Sequence, residues 1–129
     1  MNKYLRYVPA VALAALAVSL LPAPGAMAAG EAVGETQRCV SLRQIKASPI
    51  IDDRTILVKM HGAGGYKRMD LMGNCPGLSF NGYARSSPEN SICTSDSLSV
   101  IGPVTMICKI DKIVTIDANE AAALEAKKK

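Results

Sequence analysis

The chain has 129 residues, of which 49% are hydrophobic and 20% are charged, and its formal net charge is +4. Lys3 and Arg6 precede an apolar run at the start, and without these two charges the net charge falls to +2; without the terminal Lys127, Lys128 and Lys129 as well, it is −1. Because nucleic-acid binding needs clustered Lys and Arg together with stacking aromatics, the composition argues against a nucleic-acid partner.

Residues 1–28 have the order of a secretory signal peptide. Lys3 and Arg6 form a basic region, residues 8–21 are apolar, and Ala26-Met27-Ala28 is an A-x-A cleavage site. The apolar run is too short to span a bilayer as a helix, so we expect no membrane span after cleavage. The sequence therefore predicts a protein of the periplasm or the extracellular medium that begins at Ala29.

After the signal, residues 29–38 are small and polar and predict a flexible lead-in. We expect order to start at Cys39, with a short strand over residues 39–45 and another apolar step at Ile50-Ile51. Residues 39–116 are predicted to form a single disulfide-linked β-domain.

A hairpin dominates the middle of the chain. Apolar and polar residues alternate over residues 55–60 and again over 66–72, which is typical of half-buried strands. The segment 61–65 (HGAGG) between them suits a reversing loop and lacks the lysine and hydroxyl residue of a phosphate-binding loop. The side of the return strand that carries Arg68 and Asp70 is expected to face water.

Further strands are predicted beyond the corner at Cys75-Pro76-Gly77. A short strand is expected over residues 79–85, either continuous or interrupted at Gly82, then a loop over 86–91 and strands at 98–101, 104–110 and 113–116. The fold class is therefore mainly β, a small antiparallel sheet or partly open barrel held by two disulfides.

The end of the chain differs in kind. Asp117 and Glu120 form a capping-box pattern ahead of an alanine-rich run, so residues 117–129 predict a short helix followed by a lysine tail. Only Leu124 offers much apolar area, and the helix is expected to lie at the periphery.

The four cysteines, Cys39, Cys75, Cys93 and Cys108, all follow the signal. An even number in an exported domain predicts two disulfides, and four cysteines allow three pairings. We favour Cys75–Cys93, which closes a local loop, with Cys39–Cys108. No C-x-x-C pair is present, so no zinc site is predicted.

No catalytic residue, metal site or cofactor is predicted. The lone His61 lies in the glycine turn with nothing local to orient it. Asp52 and Asp53 offer a carboxylate pair for acid-dependent chemistry, but aspartate before a strand commonly caps a turn through its own backbone, which we prefer.

Several motifs together resemble a family of small exported proteobacterial proteins known as a domain of unknown function. The residues that carry the likeness are Cys-Val-x-Leu-x-x-Ile at 39–45, Asp-Asp-x-Thr-Ile at 52–56, Cys-Pro-Gly-Leu at 75–78, Ile-Cys-x-x-Asp at 92–96 and Cys108. The resemblance covers most of 39–116 and implies a signal-bearing, disulfide-containing β-domain. It implies no catalytic residues. The longer turn at 61–65 and the lysine-rich end depart from the family pattern.

Three function classes remain open. The first is a non-enzymatic binding or structural module with an envelope protein as partner. The second is an enzyme inhibitor that presents the loop 86–93, and the third is a small hydrolase or metal-binding enzyme that uses Asp52, Asp53 and Asp96. For the first class, the expected contact surface lies around the hairpin, where residue types that anchor interfaces occur: Arg54, Tyr66, Arg68, Tyr83 and Arg85. Alternatively, Tyr66 and Tyr83 complete the core with their hydroxyls at its edge.

Overall fold

A computed structural model describes residues 32–86 and 89–128, so the predicted signal peptide lies outside the described residues. The described chain is mainly β and forms a curled antiparallel half-barrel with a C-terminal helix, as the sequence predicts. Its strands are β1 Thr36–Gln37, β2 Cys39–Ser41, β3 Ile45–Ala47, β4 Ile50–Asp52, β5 Thr55–Met60, β6 Tyr66–Leu71, β7 Tyr83–Arg85, β8 Ser91–Cys93, β9 Ser97–Val100 and β10 Met106–Ile116. The helices are α1 Leu78–Asn81 and α2 Ala118–Lys128.

The main sheet has the order β3-β5-β6-β10-β9-β7, with β4 beside β5 and β1 beside β10. A separate ribbon of β2 and β8 completes the described strands. The predicted hairpin is the β5–β6 pair, whose register runs from Thr55 opposite Asp70 to Lys59 opposite Tyr66. Gly65 closes the turn with φ 68°, a conformation that glycine adopts at little cost.

Strand β10 organises the sheet. It pairs with β6 along one side and with β9 and then β1 along the other. The sequence predicts two strands here, yet the structure has one strand of 11 residues. The register against β6 shifts between Ile110 and Lys112, so a bulge at Asp111 lets the apolar pattern change phase without ending the strand.

The main core fills the concave side of the half-barrel. Its fully buried members come from β2, β5, β6, β8, β9, β10, α1 and the corner before α1: Val40, Ile56, Val58, Met69, Cys75, Leu78, Ile92, Leu98, Ile110 and Ile113. A second cluster lies on the convex side, where α2 packs on the sheet: Ile51, Leu57, Val114, Ile116 and Ala121, with Tyr66 and Leu124 at its margin.

Helix α2 changes two expectations. Ala121 is its buried residue and Leu124 is only half-buried, because a small side chain lets the helix approach the sheet closely. The convex face that was expected to be wet is thereby half-covered, and Leu57 is buried together with its neighbours Ile56 and Val58. Asp117 caps the helix as predicted, since its Oδ1 accepts a hydrogen bond from the Glu120 amide at 2.7 Å.

Two further predictions are wrong. Order does not start at Cys39, since β1 pairs with β10 and the Gly34 amide donates to the Thr115 carbonyl at 2.7 Å. The part of 79–85 before Gly82 is helix α1 and not strand, and Gly82 at φ 74° is the interruption that separates it from β7. Asp53 holds the start of α1 by accepting hydrogen bonds from the amide and hydroxyl of Ser79, at 3.0 and 2.8 Å.

Two disulfides form, but the pairing differs from the predicted one. Cys39 bonds to Cys93 and Cys75 bonds to Cys108, so the two closed loops interlace along the chain. The physical reason is strand pairing. In the ribbon, Cys39 stands directly opposite Cys93, with 4.0 Å between their Cα atoms. The prediction favoured the pairing that closes the shorter loop, and loop length carries no information about which residues face each other in the β2–β8 ribbon.

Candidate functional site

The five residues predicted as a contact surface lie at three separate places. Arg54 is in the tight turn between β4 and β5, Tyr66 and Arg68 are on the convex face of β6, and Tyr83 and Arg85 are on the edge strand β7. Since α2 packs over the convex face of β6, the hairpin side chains are not displayed together. The structure does not bring the five residues together on one face.

Arg68 is held by internal ion pairs. Its Nε donates to both carboxylate oxygens of Asp70, at 2.9 and 3.1 Å, and its Nη1 pairs with Glu120 of α2. Burial acts to lower the pKa of Arg68, but the neighbouring carboxylates of Asp70 and Glu120 outweigh burial and raise it. This guanidinium therefore fixes α2 to the sheet.

The two tyrosines belong to the cores, which was the alternative interpretation. Tyr66 packs at the margin of the convex cluster, and Tyr83 packs against the main core. The Tyr83 hydroxyl and the Ser48 hydroxyl are 3.3 Å apart at the edge of that core. Arg85 donates from Nη2 to the Glu89 carbonyl at 2.6 Å. These contacts give Tyr66, Tyr83 and Arg85 a structural role.

The acidic candidates hold turns. Asp52 Oδ1 accepts from the Arg54 amide at 2.8 Å, and Asp96 Oδ2 accepts from the Cys93 amide at 2.8 Å. Burial acts to raise the pKa of Asp52, but the Arg54 amide and Lys127 outweigh burial and lower it. The hydrogen bonds from the amide and hydroxyl of Ser79 lower the pKa of Asp53. A general acid needs a raised pKa, so neither carboxyl is tuned for that role.

Metal-binding geometry is not present in the described chain. Residues 32–86 and 89–128 contain no group of three or more His, Cys, Asp or Glu side chains that could hold an ion. His61 is exposed at the β5–β6 turn. Of the loop 86–93 proposed for an inhibitor, residues 87 and 88 lie outside the described part, and Ser91–Cys93 is strand β8, paired with β2.

One feature that the sequence analysis does not predict is an end of the molecule that exposes large apolar side chains. Five large apolar side chains are exposed around α1 and the β9–β10 hairpin, and we call them the apolar end: Phe80, Ile101, Val104, Met106 and Ile107. Phe80 is 91% exposed although it is the chain's only phenylalanine. Large exposed apolar side chains that form a contiguous patch commonly mark an interaction site.

Tertiary contacts bring the apolar end together from two distant segments. The Ile101 amide donates to the Gly82 carbonyl at 3.1 Å, which joins the β9–β10 turn to the end of α1. A side chain at Gly102 would meet the Asn81 amide at 3.4 Å. The disulfide Cys75–Cys108 links the same two segments. The two segments are therefore joined at one end of the molecule.

The sequence did contain a signal for this surface. Residues 71–84 and residues 97–108 hold no Asp, Glu, Lys or Arg, in a chain where 20% of residues are charged. At that frequency, about five charges are expected over the two segments on composition alone. Because each run also has the composition of ordinary strand and turn, the absence of charge does not by itself predict an exposed surface.

Part of the apolar end is also a sheet edge. The Ile110 amide donates to the Asp96 carbonyl at 3.2 Å, so alternation along β10 directs the amide and carbonyl of Ile107 away from β9. On the side of β10 that faces β6, strand pairing ends at Ile110, opposite Leu71. One further hydrogen bond follows, from the Met72 amide to the Lys109 carbonyl at 2.9 Å. Ile107 thus presents backbone groups as well as an apolar side chain.

No helix within the described parts of the chain is long and apolar enough to cross a membrane. Comparisons with protein-family models, with curated proteins and with solved structures gave no match.

Proposed function

We propose that this protein is an exported, non-enzymatic binding module that holds a partner protein of the cell envelope through its apolar end. The observation that carries the proposal is Phe80, 91% exposed, with four other exposed large apolar side chains in two runs of sequence that contain no charged residue. Burial of apolar surface drives association at roughly 25 cal/mol per Å². The two disulfides support export, because such bonds persist in oxidising compartments.

The chemistry of the apolar end supports one kind of binding partner. Residues 71–84 and 97–108 offer no charge to pair with, so a charged partner segment on these runs would lose its hydration with compensation only at their margin, where Asp53 lies beside Ser79. The edge at Ile107 favours an extended segment, which can add hydrogen bonds to an unpaired strand. The occupant we infer is an extended, uncharged apolar segment of a second protein. An anionic lipid surface fits less well, because these runs lack the Lys and Arg that such surfaces attract.

The test uses matched exposed residues. A photo-crosslinking amino acid at Val104, with the protein in its native compartment, is expected to join one partner through an uncharged segment. With that partner purified, Phe80→Ser and Ile107→Ser should each weaken binding at least tenfold, as truncation of an interface anchor does. Val33→Ser is the control, since Val33 is 61% exposed and Ile107 is 63% exposed, but Val33 lies outside the apolar end.

All three variants should keep the wild-type melting temperature, because the side chains are exposed. The proposal is wrong if Val33→Ser weakens binding as much as Ile107→Ser does. It is equally wrong if the crosslink at position 104 joins a second copy of the chain, or if the mapped segment is charged. Binding to lipid vesicles that Phe80→Ser abolishes would identify a membrane surface in place of a protein.

A further inference from the structure

The ribbon of β2 and β8 stands apart from the main sheet, and its two faces differ. Each of its strands pairs with the other and with no further strand of the described chain. Val40 and Ile92 stand opposite each other in the ribbon and are 1% and 2% exposed in the main core. Because side chains alternate along a strand, the residues on either side of them point away from that core. The Cys39–Cys93 disulfide therefore lies on the outward face of the ribbon.

The two disulfides of the protein differ in their access to solvent. Cys39 is exposed and Cys93 is half-buried, whereas Cys75 is 1% exposed and Cys108 packs against the main core. Thiol–disulfide exchange requires a thiolate to reach one of the two sulfur atoms, so its rate depends on access. Since Cys39 is the more exposed member of the ribbon pair, its sulfur is the one that we expect a thiolate in solvent to attack.

Ser91 favours the departure of the second sulfur atom. Its Oγ lies 3.8 Å from the Sγ of Cys93, and the hydroxyl is the donor because a disulfide sulfur carries no hydrogen. A hydrogen bond to an ionised acceptor is stronger than one to a neutral acceptor, so this contact stabilises a thiolate at Cys93. Asp96 accepts from the Cys93 amide at 2.8 Å, and the Ser91 hydroxyl counteracts the effect of that negative charge on the thiolate. The ribbon thus combines an accessible sulfur with a leaving sulfur that has its own donor.

We propose that the Cys39–Cys93 disulfide is a site of thiol–disulfide exchange with a dithiol. One thiolate of the dithiol attacks the Sγ of Cys39, the Cys39–Cys93 bond breaks, and the electron pair goes to the Sγ of Cys93, beside the Ser91 hydroxyl. The second thiolate then attacks the mixed disulfide, which oxidises the dithiol to a disulfide and releases Cys39 as a thiolate. The two cysteines take up the two protons that the dithiol loses.

The register of the ribbon selects a dithiol over a single thiol. Cys93 stays opposite Cys39 while the inner face of the ribbon is packed on the core, so the Cys93 thiolate can displace a single thiol again at high effective concentration. A second thiol in the attacking molecule competes with that reversal and completes the reduction. The Cys75–Cys108 bond remains oxidised and holds the core. The proposal does not rest on partner binding at the apolar end, since the two sites share no residue.

Reduction of the intact, oxidised mature protein with dithiothreitol tests the site, with rapid alkylation and peptide mass mapping to follow each cysteine. Cys39 and Cys93 should be reduced at least tenfold faster than Cys75 and Cys108, while the circular dichroism of the protein is unchanged. With glutathione, a single thiol, the trapped adduct should lie on Cys39 in at least fivefold excess over Cys93. Reduced thioredoxin is the second dithiol: faster reaction than with dithiothreitol at equal concentration identifies a protein as the source of the dithiol, and slower reaction identifies a small molecule.

Two serine variants test the donor. Ser91→Ala should slow the reduction of Cys39–Cys93 at least threefold and leave the rate at Cys75–Cys108 unchanged. Ser41→Ala is the matched control, because Ser41 stands opposite Ser91 in the ribbon and carries the same hydroxyl on the same face. Its reduction rate should equal that of the wild type.

Four results would overturn the proposal. The first is reduction of Cys75–Cys108 as fast as Cys39–Cys93, and the second is loss of the folded circular dichroism as the first bond is reduced. The third is a glutathione adduct that lies mainly on Cys93, which would reverse the assigned direction of attack. The fourth is an unchanged rate in Ser91→Ala, or an equal slowing in Ser41→Ala, since either contradicts the role of the Ser91 hydroxyl.

Discussion

Removal of the Cys39–Cys93 disulfide is expected to destabilise the domain strongly. The bond joins residues 54 apart in sequence, and the Cys75–Cys108 bond joins residues 33 apart. The chain-entropy relation gives about 4 kcal/mol for either loop when the other bond is kept. A domain of this size has a free energy of unfolding of about 5–15 kcal/mol, so one bond supplies a large share.

The two disulfides differ in burial, although their loop entropies are similar. Cys75 is 1% exposed in the main core, whereas Cys39 is exposed in the ribbon. Cys75→Ala with Cys108→Ala therefore removes core packing as well as a cross-link, and should cost about 1 kcal/mol more than Cys39→Ala with Cys93→Ala. The ranking by burial is the opposite of the ranking by loop length.

Urea unfolding of the two double variants, each with its remaining bond oxidised, measures these free energies. The Cys39/Cys93 variant should melt roughly 15–30 °C below the wild type, from the usual entropy of unfolding. A loss of less than about 1 kcal/mol would refute the loop-entropy reasoning. Peptide mapping of the oxidised wild type that linked Cys39 to Cys108 would refute the pairing itself.

Three further predictions concern the fold. Asp117→Ala removes the cap of α2 and should lower the free energy of unfolding by about 1 kcal/mol in urea titrations, with Glu120 left in place. Ile113→Ala should cost about 2–5 kcal/mol in the same assay and Ile107→Ala far less, because Ile113 is 0% exposed and Ile107 is 63% exposed. The pKa of Asp53 is lower in the folded protein, so the unfolded chain binds a proton at Asp53 more readily. The ionised Asp53 carboxylate therefore stabilises the folded state above the ordinary pKa of an aspartate, and this stabilisation is lost as the pH falls through the lowered, folded-state pKa. Asp53→Asn should therefore lower stability at pH 7 and reduce the loss of stability on acidification below pH 4, as measured by the midpoints of urea unfolding. If the variant and the wild type were equally sensitive to acid, the role of Ser79 as hydrogen-bond donor to Asp53 would be contradicted.

Local patterns were sufficient for the elements whose causes lie within a few residues. The β5–β6 hairpin follows from alternation and a glycine turn, and the bounds of β5 agree with the prediction. The cap at Asp117 and the turn held by Asp52 follow from hydrogen bonds to amides two or three residues away. The mainly β class and the presence of two disulfides follow in the same way from composition and an even cysteine count.

Tertiary contacts decided everything that depends on which distant segments meet. The pairing of Cys39 with Cys93 comes from the β2–β8 register, and the order at residues 34–37 comes from β10. The sequence alone assigned Arg68 to a wet face, but Ala121 lets α2 approach closely enough for Glu120 to pair with that guanidinium. Two runs without charged residues, 71–84 and 97–108, are visible in the sequence, and only the fold joins them, where the Ile101 amide meets the Gly82 carbonyl. Register, close approach and shared surfaces are properties of pairs of segments, and a periodic pattern within one segment carries no information about its partner.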